Sequence, residues 1–320
     1  MKKIKISLLW TIEEDFKNSI IFNLIKNSTK KEIEFSSVAK SDLLIFGPYE
    51  SYLKRKILNL AKKKFKLIEN IFPNIDFYLL KRKFQPVKVF MTHEKDFTNI
   101  KYDFIISNHL GVNDNNHLRL AMWKELIDWS HLGIKRVPTN FIKRFDNYFS
   151  IKDLMSPLGD TFINKDKKIA IICSNLNEPR KSMYNIFSKS FVVNGYGRYF
   201  DRSIKNHNSS SFTKKELLKK YAFNLCPENT LYPGCYSEKV PEAFLAKSLP
   251  ITWADNNINV DFNQRSFINL LNHTADNYKE IIALLKDSEF LKKFVNEPLL
   301  LKEPDLVTET VFIKKILENL

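Results

Sequence analysis

The sequence predicts an α/β protein of two domains, each built on a parallel sheet flanked by helices. Three observations predict it. The chain has 320 residues, more than one ordinary domain. Its apolar fraction is 44%, enough to fill a core in each half. Short apolar runs alternate with helical patterns along the chain, the signature of βαβ units.

The strands come in order. Residues Ile4 to Trp10 read as the first, and Asp42 to Phe46 as the second, which meets the turn signal Gly47-Pro48. Val87 to Met91 and Tyr102 to Ile106 follow, with a helical stretch over about 51–68 before them. A less regular region runs through Pro138 to Pro157. The second half opens with the buried strand Ile169 to Cys173 and a helix over about 178–189. Phe191-Val192-Val193 then leads into Gly195-Tyr196-Gly197. A helix over 214–220 precedes the strand Ala222 to Cys226, and another helix starts near Ser237. Leu249 to Trp253 and Ser266 to Leu270 read as strands, and three helices occupy 278–285, 288–296 and 308–319. The expected domains are 1–158 and 159–320, with the last helix free to pack back on the first.

Composition narrows the function classes. The chain opens on charged residues without an apolar h-region, and no run approaches the ~18 apolar residues of a membrane span. The three cysteines, Cys173, Cys226 and Cys235, are odd in number and lack metal-ligand spacing, so a cytoplasmic protein with free thiols and no metal is expected. The net charge of +15 attracts anions: nucleic acid, acidic lipid headgroups or phosphorylated metabolites. A solvated lysine-rich surface accounts for that charge equally well. Seven glycines and no GxGxxG leave a nicotinamide loop unsupported, and neither a Walker loop nor a GxSxG elbow is present. A bound phosphate must then be held by side chains and helix N-termini.

Ligands of open α/β sheets sit beyond the carboxyl ends of the strands. There the sequence places Thr92-His93-Glu94, Ser174-Asn175, Pro227-Glu228-Asn229 and Ala254-Asp255. The richest segment is Phe223 to Leu270. A strand delivers Glu228-Asn229, a Pro- and Gly-containing loop follows, and Ser237-Glu238-Lys239 opens a helix with Ser237 as expected N-cap. Lys239 at that helix N-terminus fits a pyrophosphate, and Glu238 could accept bonds from ribose hydroxyls. An exposed Glu-Lys pair in a first helical turn fits the same spacing.

This segment resembles the donor-binding motif of glycosyltransferase family 10, the α-1,3/α-1,4-fucosyltransferases, and its bacterial, Helicobacter-type members above all. The residues that carry the resemblance are Glu228-Asn229, Ser237-Glu238-Lys239, Ala243, Pro250-Ile251, Trp253, Phe262-Asn263 and Ser266-Phe267-Ile268, spread over about 45 positions. Upstream, Ser174-Asn175 through Pro179, Arg180 and Tyr184 is similar to the family's stretch with a phosphate-binding arginine, and Gly195-Tyr196-Gly197 to its turn near the guanosine. Val89 to Glu94 looks like its strand ending in a glutamate base. The resemblance covers roughly 87–270.

It implies a GT-B fold, two Rossmann-like domains facing across a cleft, the first holding acceptor and base and the second the GDP-sugar. It implies inverting transfer of L-fucose from GDP-fucose to a glycan hydroxyl, in α-1,3 linkage to GlcNAc of a lipopolysaccharide or O-antigen-type glycan, with neither metal nor cofactor. Glu94 becomes the expected base and Asp96 the second choice, with Asp96 and His93 on the acceptor side. Arg180, Glu228, Asn229, Glu238, Lys239, Gly195 and Tyr236 become donor contacts. Cys235 stands where the family has a tyrosine, Pro227 where it has an aromatic residue and Ala254 where it has a glycine, so another GDP-deoxysugar is the alternative donor. A basic nucleic-acid-binding protein without catalysis is the alternative of another class, resting on charge alone. The lysine-rich helix expected around 52–66 reads as a packed amphipathic helix with a solvated lysine-rich outer face, with a peripheral contact with the anionic inner face of the bacterial inner membrane as the alternative.

Overall fold

The computed structural model describes residues 3–9, 12–47, 85–93, 101–200, 213–273 and 277–320. The helix expected over 51–68 and its lysine-rich face lie outside the described residues. The chain divides into two compact units. Unit 1 comprises 1–120, 132–137 and 306–320, and unit 2 comprises 121–131 and 138–305.

Unit 1 carries a parallel sheet of β1 (Ile4–Leu8), β2 (Ile33–Phe35), β3 (Leu43–Phe46), β4 (Val87–Thr92), β5 (Phe104–Ser107) and β6 (His117–Arg119), in the order β2-β1-β3-β4-β5-β6. Every residue of β3 and β5 is buried, as parallel strands covered on both faces must be. Helix α1 (Glu13–Lys17) is followed by α2 (Ile20–Ser28). Ser19 caps α2 by accepting from Phe22 N, while Ile20, Ile21, Leu24 and Ile25 form its buried face. The sequence reading passed over both helices and the three-residue strands β2 and β6.

Unit 2 holds α3 (Asn140–Phe145), α4 (Ile151–Met155), β7 (Ile169–Ile172), α5 (Arg180–Phe187), β8 (Val193–Tyr196), α6 (Lys214–Leu218), β9 (Phe223–Leu225), α7 (Lys239–Leu245), β10 (Leu249–Thr252), β11 (Ile268–Asn269), α8 (Tyr278–Leu284) and α9 (Ser288–Lys292). Its sheet is parallel, in the order β11-β10-β9-β7-β8. The final helix, α10 (Val307–Glu318), belongs to unit 1, where Phe312 meets the Phe104 ring edge-on and Lys315 donates to Asn115 O and Asn116 Oδ1.

The unit boundary differs from the expected break at 158. Residues 121–131 and 138–158 belong to unit 2 because their apolar groups and backbone are spent there. Trp123 packs on Phe262 with ring centroids 5.4 Å apart. Leu299 N and Leu300 N both donate to Leu154 O at 3.0 Å, and Leu158 N donates to Glu297 O at 3.1 Å.

At the amino edge of the unit 2 sheet, Lys165 Nζ donates to Lys247 O at 2.6 Å and Tyr221 O at 3.2 Å, tying the approaches to β10 and β9. Burial, aided by the like charge of Lys219, lowers its pKa from 10.5 to about 8. Between those values the folded chain has released a proton that the unfolded chain keeps. Stability from this group therefore rises with pH across the window and is lost as pH falls through about 8. Lys165→Met should remove that component. The wild-type minus variant difference in Tm is expected to grow from pH 8 to 10.5, and a flat difference would show that the amine titrates normally.

Candidate functional site

The unit 2 sheet grows outward from β7 to β8, then returns to place β9 on the other side of β7. The carboxyl ends of β7 and β9 thus flank a topological switch point, where two loops diverge and leave a crevice. The loop after β7 supplies Asn175 and leads to Arg180, the first residue of α5. The loop after β9 supplies Pro227, Glu228 and Asn229.

Two cations converge here on one oxygen. Arg180 Nη1 donates to Asn175 O at 2.9 Å and Nη2 donates to Asn229 Oδ1. Lys239 Nζ donates to the same Oδ1 at 3.2 Å. Lys239 is held from behind by Glu228 Oε2 at 2.6 Å and Pro227 O at 3.0 Å. Glu228 is only 3% exposed. Its Oε1 accepts from Ser237 N at 2.9 Å, and the Ser237 hydroxyl reaches both carboxylate oxygens at 2.9 and 3.0 Å. Arg180's partners here are neutral oxygens, whereas the charge of Lys239 is met by Glu228.

Three expectations change. Ser237 does not cap the helix: α7 begins at Lys239, Glu238 occupies the cap position, and Ser237 is turned to Glu228. Glu228 is a buried strut for Lys239 and Ser237, because its oxygens are taken up internally. Tyr236 is 1% exposed, donates to Asn257 O at 3.3 Å and packs edge-on against Phe262, which makes it a core residue rather than a donor contact. The half-buried neighbour Cys235 has its thiol pushed up to about 11 by burial, and Cys226 is pushed to about 12, so both stay protonated near neutrality.

Beside the cations, β8 ends in the glycine turn. A side chain at Gly195 would overlap the Phe200 ring, and at Gly197, with φ of +93°, a Cβ would lie 2.5 Å from Cys173 O. Ala254 follows β10 and is clamped by Asn269, whose side chain donates to Ala254 O at 2.8 Å and accepts from Ala254 N at 3.2 Å.

Glu238 lies at the mouth of α7. Burial pushes its carboxyl up, but Lys214, Lys239 and Arg144 outweigh that and hold it below the usual range, so it is ionised and can only accept hydrogen bonds. Arg144, Lys214 and Glu242 surround it, and the sequence reading missed all three. The i, i+4 pair Glu238 and Glu242 on one helix face was the available signal, whereas nothing local marked Arg144 or Lys214.

In unit 1, His93 follows β4 and is exposed, while Glu94 and Asp96 lie outside the described residues. Among the described residues no cluster of three or more His, Cys, Asp or Glu could hold a metal ion.

Residues 162–296, which lie within unit 2, match the model of glycosyltransferase family 10 (fucosyltransferase) C-term. The chain is 29% identical over 296 residues to the alpha-(1,3)-fucosyltransferase FucT of Helicobacter pylori, covering 89% of this chain and 56% of that protein. It is 26% identical over 185 residues to the putative fucosyltransferase R654 of Acanthamoeba polyphaga mimivirus, covering 54% of this chain and 30% of that one. The chain thus spans about half, or less, of the length of the curated relatives it matches. Crystal structures of an alpha1,3-fucosyltransferase with GDP and with GDP-fucose superimpose with a TM-score of 0.62 at 22% identity, over 99% of this chain and 88% and 89% of theirs. The fold is GT-B, built of two Rossmann-like units.

Lys239→Met would leave the Glu228 carboxylate buried without its cation. It should cost unit 2 about 3 kcal/mol, read as faster amide exchange in β9 and β10. The double variant with Glu228→Gln should recover much of that loss, and no recovery would show that Glu228 is not paired through Lys239.

Proposed function

We propose that this chain is an inverting glycosyltransferase that moves L-fucose from GDP-fucose to a glycan hydroxyl. The observation that carries the reading is the convergence of Arg180 and Lys239 on Asn229 Oδ1, at the switch point of a family 10 C-terminal domain. The named relatives and the GDP-fucose complex of a structural neighbour support it.

The donor half of the chemistry is electrostatic. As the sugar leaves, charge grows on the diphosphate. Two fixed cations, one with a planar fork, stabilise that charge without reorganising, and one such contact is worth about 100-fold in rate. Asn229 Oδ1 now occupies the position that a phosphate oxygen takes over. Glu238, ionised beside them, accepts from the ribose hydroxyls. With side-chain cations meeting the diphosphate, the reaction runs without a metal or cofactor. On the acceptor side, Glu94 takes the proton from the attacking hydroxyl, with Asp96 and His93 beside the acceptor. A carboxylate in a partly desolvated site has the raised pKa this needs.

The acceptor in this reading is a GlcNAc-containing glycan of the lipopolysaccharide or O-antigen type, fucosylated through an α-1,3 linkage. The protein works at the inner face of the bacterial inner membrane, drawn by its basic surface. No helix among the described residues is long and apolar enough to cross a membrane. Pro227, Cys235 and Ala254 stand where the family has other residues, and they favour a second reading, transfer from another GDP-deoxysugar.

A GDP-release assay with a donor panel and β-galactosyl-GlcNAc acceptors separates these readings. Turnover should be greatest with GDP-fucose, and Glu94→Ala should lose about 10²–10⁴-fold in kcat while still binding GDP. Preferred turnover of another GDP-sugar establishes the second reading, and an unchanged rate in Glu94→Ala removes Glu94 as base.

A further inference from the structure

Unit 2 contains a compact charge cluster that the diphosphate contacts do not use. Glu238 and Glu242 are four residues apart at the start of α7 and share one face of it. Glu242 is 2% exposed. Its Oε2 accepts from Lys214 Nζ, while its Oε1 lies 3.8 Å from Arg144 Nη2. The same Nη2 lies 3.6 Å from Glu238 Oε1. Arg144 therefore bridges the two carboxylates, and its guanidinium rests over the Phe141 ring at 4.6 Å.

The arrangement is balanced, with two carboxylates against two cations. Removing Arg144 leaves two anions on adjacent helical turns with Lys214, which already belongs to Glu242, and Lys239, which already belongs to Glu228. Like charges in a shaded site do not both stay ionised and in place, so one must take up a proton or turn to solvent. Glu238 is the more exposed of the pair, with 15% of its side chain accessible against 3% for Glu242, and it is the one free to turn.

We propose that Arg144 is a positioning residue for donor binding. It acts through Glu238, keeping that carboxylate oriented toward the ribose hydroxyls, while Lys214 secures Glu242 so that Arg144 can serve both. Arg144 lies before the stretch that matches the family domain, in α3 of the segment that unit 2 gathers from 138–158. The donor site is therefore completed by residues outside that domain. This inference rests on the proposed reading of Glu238 as the ribose acceptor.

Calorimetric titration of the full chain with GDP and with 2′,3′-dideoxy-GDP tests it. The wild type should bind GDP about tenfold more tightly than the dideoxy form, because the latter leaves Glu238 without its donors. Arg144→Met should weaken GDP by about tenfold and change the dideoxy form by less than about twofold, since removing the positioner and removing its target are not additive. Arg144→Lys keeps the charge and should lose less, again with GDP alone. It also serves if Arg144→Met fails to fold. Equal weakening of both nucleotides, or none, overturns the inference while leaving the functional reading intact. Failure of the wild type to bind GDP overturns both.

Discussion

Unit 2 is organised around one buried carboxylate. Glu228 emerges from β9 into a nearly dry environment and must be satisfied there, because an unpaired carboxylate in such a place costs several kcal/mol. It is satisfied by residues nine and eleven positions onward, Ser237 and Lys239. That demand folds the Pro- and Gly-containing loop back on itself and fixes the start of α7. Lys239 is thereby delivered to Asn229, where Arg180 arrives from the far side of β7. The lysine is both tether to the loop and partner to Asn229, so the geometry that stabilises the loop also aims the charge.

This sharing has an electrostatic consequence. A cation already paired with a buried anion contributes less net field than an unpaired one. Arg180, whose partners here are a backbone carbonyl and a side-chain amide, therefore supplies the larger share of the positive field at the switch point. Neutral oxygens are easily exchanged for phosphate oxygens, whereas the Glu228 pairing stays in place. The site is preorganised on the lysine side and exchangeable on the arginine side.

Much of this was legible in the sequence, and the exceptions have physical causes. The buried strands announced themselves because parallel strands are apolar on both faces: Leu43 to Phe46 and Ile169 to Ile172 admit little else. The strand end and the spaced motif point to Asn229 and Lys239, the family resemblance alone points to Arg180, and the structure brings the three side chains together. Ser237 was misread because a serine before a helix has two uses, capping the helix or bonding a buried side chain, and local sequence does not separate them. Tyr236 was misread because a one-residue shift in a loop exchanges core and crevice. Arg144 was invisible because its partners are about 94 and 98 positions away on another helix, and only the fold joins them. The short strands β2 and β6 carry too few residues for a period to show.

The segment 121–158 has a bearing on how such a protein can be recombined. The family domain match starts at 162, yet Trp123, Arg144 and Leu154 are already committed to unit 2, while the closing helix α10 serves unit 1. A chimera spliced at the start of the family match would inherit a core with its first tryptophan missing and a carboxylate pair without its arginine. Exchange modules between relatives are therefore better cut near 120 and near 305, which keeps 121–131 with 138–305, carries the short 132–137 stretch of unit 1 along, and leaves the tail with its original host.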